Sequence, residues 1–253
     1  MPEIFSAALA LPGLSWLFGI VIVAGVVRGF SGFGSAMIIM PVASSVLDPV
    51  AALVFLTMTD LVGPLPILPR ALKEGNRPDA VRLGIGAAVA MPIGILSLSY
   101  MSQDTFGWVV TVTVFVLLAI LVTGWRYQGV LTPRLVLGTG ALGGFMSGAT
   151  GMAGPPVIML YMASTLRASV IRANLILYLL TIDLLMIATI WVYDLFVLLP
   201  AVVGLAFALP YMLANLAGAA LFRPSGPSAE VWFRRTAYVM IAGAALMGLP
   251  LWS

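Results

Sequence analysis

Two apolar runs in this chain exceed the length of one membrane crossing, and a cluster of glycines interrupts each of them. The first break reads GVVRGFSGFG from Gly25 to Gly34, and the second reads GFMSGATGMAGPP from Gly144 to Pro156. One constant shift places Gly25 on Gly144, Gly29 on Gly148 and Gly32 on Gly151, with Arg28 facing Ser147. Glycine weakens a helix interior and frees backbone groups that lipid cannot hydrogen-bond, so such a break survives only where protein or a watery cavity receives those groups. Pro155 and Pro156 follow the second break, and proline suits the first turn of a helix. A new half-helix is predicted to start there, turning its N–H groups and positive dipole end to the break as a site for an anion.

Apolar runs extend from about Leu14 to Leu47, Val50 to Leu68, Val81 to Tyr100, Phe106 to Trp125, Leu135 to Ala163, Ala173 to Trp191, Phe196 to Phe222 and Ala237 to Trp252. Six are near the ~20 residues that cross a bilayer as helix, and the first and fifth are the long, broken ones. With 62% hydrophobic and 8% charged residues, the chain has too few charges to cover a soluble domain of this size. It reads as a polytopic membrane protein. The sequence has no cysteine and no histidine, which removes disulfides, thiol nucleophiles, imidazole bases and the usual zinc and haem ligand sets. The first residues lack the basic region of a signal peptide, so the N-terminus is read as mature.

The basic residues are segregated. Arg70, Lys73, Arg77 and Arg82 lie between the second and third runs, Arg126 and Arg134 between the fourth and fifth, Arg167 and Arg172 between the fifth and sixth, and Arg223, Arg234 and Arg235 between the seventh and eighth. The other connections carry Glu3, Asp48, Asp104 and Asp194. By the positive-inside rule the basic connections are cytoplasmic, and both termini are external. The first and fifth runs then begin and end on one side, as re-entrant hairpins or as pairs of short spans. Each half, 1–128 and 129–253, is predicted to contribute one such hairpin and three single crossings, so the second repeat is inverted relative to the first. Gly86 and Pro92 in the third run match Gly204 and Pro210 in the seventh at nearly the same shift. The fold class expected is an all-α membrane protein of two inverted repeats, an architecture of transporters that bind at the repeat interface.

At these residues the sequence resembles the TauE/SafE family of sulfite exporters, also called the TSUP family. The paired G-x-x-x-G-x-x-G motifs carry the resemblance, and the second copy, Gly144 to Gly154, is close to the family pattern. Ser35 stands where a third clustered glycine is often found, and Ala153 interrupts the glycine cluster of the second copy. The resemblance implies transport of small sulfur-containing anions, such as sulfite or organosulfonates, across the cytoplasmic membrane of a prokaryote.

Arg28 is the one basic residue outside the cytoplasmic connections, and it sits within the first break. A guanidinium at that depth costs roughly 2.5 to 3.5 kcal/mol on insertion scales, so function is the default reading. Its planar fork suits a tetrahedral oxyanion. The other readings are a structural pair with Asp60 or Asp183, or snorkelling to an interface. Replacing Arg28 by Met is expected to keep the fold while abolishing anion binding. Asp60 and Asp183, in the similar contexts LTMTDL and LLTIDL, either couple a proton to transport or form a structural ion pair. The candidate substrate-binding set is Arg28, Gly29, Ser31, Gly32, Ser147, Gly148, Thr150, Gly151, Pro155 and Asn174. Arg28 and the second break are expected to form one alternately exposed site. Phe30, Met152, Trp125 and Trp191 read as packing or interfacial residues.

A secondary carrier for a small anion is the leading function, proton-coupled export being one form of it. A channel, or a carrier for another anion such as a carboxylate, is the alternative within transport. A membrane enzyme would have to work without Cys or His. No Walker motif occurs, so neither nucleotide hydrolysis nor any cofactor is expected. The partners expected are a small anion and the bilayer, without nucleic acid, and homo-oligomerisation is left open.

Overall fold

The first long run folds as two helices, α1 (Leu14–Ser31) and α2 (Ser35–Val46), and the fifth as α7 (Pro133–Thr150) and α8 (Gly154–Tyr161). In the computed structural model residues 10–249 are described, apart from 12, 99, 124–128, 162–165 and 222–226. Glu3, Trp125, Arg126, Arg223 and Trp252, which the sequence reading used, lie outside the described residues, as do the side chains of Phe30 and Arg234. The remaining helices are α3 (Pro49–Asp60), α4 (Leu68–Glu74), α5 (Arg77–Leu98), α6 (Gln103–Thr123), α9 (Ala168–Val192), α10 (Leu198–Leu221) and α11 (Pro227–Met247). Every regular element among the described residues is helical, as expected of a chain whose backbone must satisfy itself in lipid.

Among the described residues four helices are long and apolar enough to cross a membrane, spanning Arg77–Leu98, Gln103–Thr123, Ser169–Val192 and Leu198–Ala220. The second run differs from expectation. It is not one continuous span but a pair, Pro49–Asp60 and Leu65–Glu74, bent by 41°. The cause is local: Pro64 and Pro66 lack N–H groups, and a proline disfavours helical backbone in the residue before it, here Gly63. A 3-10 turn, Leu65–Ile67, bridges the bend.

The chain divides into two compact units. One holds Met1–Gly63, Met101–Ala119 and Phe196–Ser253, and the other holds Pro64–Tyr100 and Ile120–Leu195. Each unit therefore takes helices from both halves of the sequence. In the first unit α1 and α3 pack on α10, while α2 packs on α1 and α11. In the second, α5 lies along α7, with α9 against α4 and α5.

Small residues set these contacts. A Cβ on Gly29 would lie 2.7 Å from the Ala219 nitrogen, and one on Gly25 would lie 2.8 Å from the Tyr211 carbonyl. In the second unit a Cβ on Gly148 would lie 2.8 Å from the Ile95 nitrogen, and one on Gly94 would lie 2.9 Å from the Ala149 nitrogen. Lipid tails are as apolar as leucine, so helices in a bilayer gain by close van der Waals approach, and side chains at these positions would forfeit it. Outward faces carry Trp16, Trp108 and Trp191, all exposed, whereas Met152 is fully buried.

Candidate functional site

Both breaks are three residues long and begin with the same backbone turn, then diverge at the third residue, where Gly34 is left-handed at φ 94° and Ala153 is not. Gly32 and Gly151 each cap the preceding helix at φ 79° and ψ 0°, a left-handed conformation that glycine adopts without a steric penalty. The Gly32 N–H donates to the Arg28 carbonyl (2.7 Å), and the Gly151 N–H donates to the Ser147 carbonyl (2.8 Å). The hydroxyls of Ser31 and Thr150 both turn back onto their own helix, to the Val27 carbonyl at 2.6 Å and the Met146 carbonyl at 2.8 Å. The single Ser31 proton can go instead to the Phe33 carbonyl (2.6 Å), and its oxygen accepts from the Phe33 N–H (3.3 Å), so Ser31 satisfies backbone that the break exposes.

The first break carries charge. Arg28 is 7% exposed and ion-pairs through Nη1 with Oδ2 of Asp60, itself buried where α3 ends. The same nitrogen lies 3.2 Å from Ser35 Oγ and 3.2 Å from Tyr211 Oη. Ser35 is the first residue of α2, so the guanidinium sits at that helix's N-terminus. A cation there opposes the helix dipole, as an anion does at the C-terminal end of α3. Each charge offsets the other's misplacement. Tyr211 is fully buried on α10, and glycines make room for its ring: a Cβ on Gly25 would be 3.2 Å from one ring carbon and one on Gly63 would be 3.1 Å from another. Gly32 borders open space, with nothing within 4 Å of where its Cβ would stand.

The second break is neutral. Ser147 and Thr150 are buried, and Pro155 and Pro156 lie in the first turn of α8. Those prolines correct the expectation of a donor-rich helix end: two of the first N–H groups do not exist there, whereas Ala36 and Met37 at the corresponding places in α2 have theirs. The buried Tyr178 hydroxyl comes up to Gly143, where an added Cβ would also lie 2.9 Å from the Ala153 carbonyl of the break, and it has no hydrogen-bond partner among the described residues. Asn174, fully buried, accepts the N–H of Asn76 at 2.7 Å and thereby holds the turn between α4 and α5. In that turn Asn76 bonds Asp79 at 3.1 Å, and Asp79 pairs with Arg82 at 3.1 Å.

Of the predicted residues, Arg28, Gly29, Ser31, Gly32 and Asp60 therefore belong to the first unit, and Ser147, Gly148, Thr150, Gly151, Pro155, Asn174 and Asp183 to the second. Gly29 and Gly148 face neighbouring helix backbone too closely to admit a ligand. Asp183 is buried in α9, and Asp60 ion-pairs with Arg28.

The family model for the sulfite exporter TauE/SafE matches residues 17–248, nearly the whole chain. The chain belongs to the TauE/SafE family. No match was found among curated proteins or among solved structures. Membership makes the protein a multi-pass membrane protein of a family of anion exporters, consistent with its apolar helices and with a role other than catalysis. The first break contains the buried cation that such a protein can use. Sequence reasoning passed over Tyr211 and Ser35 as partners of that cation. The available signals were a phenol tip within an otherwise apolar run and a hydroxyl where the family pattern often has glycine.

Proposed function

We propose that this TauE/SafE protein is a secondary carrier of small sulfur oxyanions, sulfite or organosulfonates, and that the first break is where the anion binds. The supporting observation is Arg28, a buried guanidinium beside the first turn of α2, in a chain that belongs to an exporter family. The fork of Arg28 would meet two oxygens of the anion, with the Ser35 and Tyr211 hydroxyls beside it and the N–H groups of the first turn of α2 adding their partial charge. Gly32, bordered by open space, would leave room for the substrate. Transport by alternating access between inverted repeats is the corresponding mechanism, with the two broken hairpins as the moving or gating elements. The protein would lie in the cytoplasmic membrane of a prokaryote, with its Lys- and Arg-bearing connections inside and its termini outside.

Sulfite counterflow in proteoliposomes tests this reading. Saturable exchange of labelled for unlabelled sulfite is the expected result, and it should be lost in Arg28→Lys, which has a point charge in place of the fork. Flux that rises without saturation would mark a channel, and chemical change of the sulfite an enzyme.

A further inference from the structure

Resting on that reading, the Arg28 site raises a question of charge. Among the described residues the site pairs one guanidinium with one carboxylate, both buried. An arriving anion must share or take the guanidinium from Asp60, and a second negative charge in this enclosure would be uncompensated. Leaving a buried charge unpaired costs several kcal/mol, far more than a carrier can surrender and still bind a small anion.

We infer that the incoming anion takes the place of Asp60 on Arg28, and that Asp60 takes up one proton from water as it is displaced. The site then holds a guanidinium, an anion and a neutral carboxylic acid, so its net charge is unchanged. On release the proton leaves Asp60 and the carboxylate returns to Arg28. Proton and anion therefore travel together, and the direction of transport follows the product of their two gradients.

Three observations favour Asp60 for this role. Its second oxygen, Oδ1, is buried and has no hydrogen-bond partner among the described residues, so a proton can be placed there without breaking a bond. It stands at the end of α3, where the chain bends away from the helix, so its backbone is not locked in mid-helix. Its surroundings hold few rivals for the proton. Among the described residues the titratable groups facing it are Arg28 from α1 and Tyr211 from α10, the one titratable residue of that helix, while α2 contributes the Ser35 hydroxyl. Ion pair, open acceptor and helix end together make Asp60 a resident anion that the substrate replaces.

Calorimetric titration of the purified protein with methanesulfonate tests the exchange, because the charge of that anion does not change near neutral pH. Repeating the titration in buffers of different ionisation enthalpy counts the protons. The expected result is about one proton taken up per anion bound, with Kd falling about tenfold for each pH unit of acidification over the range in which that uptake holds. Asp60→Asn should bind with no proton uptake and no pH dependence. If sulfite binds and methanesulfonate does not, the count is made with sulfite after subtracting its own ionisation. Wild-type binding without proton uptake would overturn the exchange and leave the carrier reading standing, as would undiminished uptake in Asp60→Asn. Failure of both anions to bind would overturn the carrier reading and the exchange with it. The wild-type proton count needs no variant, so it decides the matter even if Asp60→Asn does not fold.

Discussion

Gly32 and Gly151 end their helices in the same left-handed turn, yet the residue whose carbonyl each of them caps is Arg28 in one break and Ser147 in the other. Three residues past each glycine the contrast continues, with Ser35 opening α2 and Gly154 opening α8. One place on, the α2 turn has the N–H groups of Ala36 and Met37 where the α8 turn has the rings of Pro155 and Pro156. A single backbone device thus serves two chemistries. Glycines and back-turned hydroxyls build the break in both units, but only the first retains a cation and a full set of helix-end donors. Conformation at a break and charge at a break are separable properties.

The largest effect should come from unpairing the charge of the first break. Arg28→Met was expected on sequence grounds to keep the fold by removing a costly charge. The structure reverses that, because Asp60 would be left buried without its cation. Breaking a buried pair from one side costs about 3–5 kcal/mol. The double variant Arg28→Met/Asp60→Leu should recover most of the loss, while Ser147→Ala in the second break should change stability by less than about 1 kcal/mol. Thermal unfolding in detergent measures all three, and a double variant no better than Arg28→Met alone would show that the pair is not the reason.

Next come the tyrosines. Tyr211→Phe removes a hydroxyl bonded to a charged group and should cost about 1.5–3 kcal/mol. Tyr178→Phe removes a hydroxyl with no partner among the described residues and should be neutral or slightly stabilising. Equal losses in the two variants would mean that the second break is as polar in function as the first. Gly29→Ala and Gly148→Ala probe what the breaks share, since each Cβ would press on backbone that cannot rotate aside. Both should cost about 1–3 kcal/mol by overpacking, and a large difference between them would break the equivalence of the two breaks.

How much of this was legible beforehand follows from what each feature depends on. The runs and both breaks were visible because hydropathy and glycine spacing are local. Gly32 and Gly151 were aligned by spacing alone, and they have matching dihedrals. The bend at Gly63 and Pro64 has a local cause as well, but hydropathy runs on past it, so Val50 to Leu68 read as one crossing. What spacing could not supply was partnership. Asp60 and Asp183 have similar neighbours in sequence, and it is tertiary packing that brings Asp60 onto Arg28. Gly29 and Gly148 looked like places where a ligand meets backbone, and glycine serves equally where a helix meets backbone. Asn174 looked like part of a site and holds a turn 98 residues away in the chain.

The smallest expected effect separates the two breaks most finely. Pro156→Ala returns to the first turn of α8 the N–H that Met37 provides at the matching place in α2. Folding should lose only about 0.4–1 kcal/mol, because alanine fits the helix and the cost is the freedom regained by the unfolded chain. The informative quantity is transport. If the anion binds only at the first break, sulfite counterflow by Pro156→Ala should keep its half-saturation concentration, since no new donor reaches the substrate. If an anion also rests at the second break during transport, the restored N–H would hold it more firmly and the half-saturation concentration would fall. A fall would mean that the prolines limit binding at a working site, and that the second break is a weakened copy of the first. An unchanged value would leave the first break as the place of binding and the second as its structural counterpart.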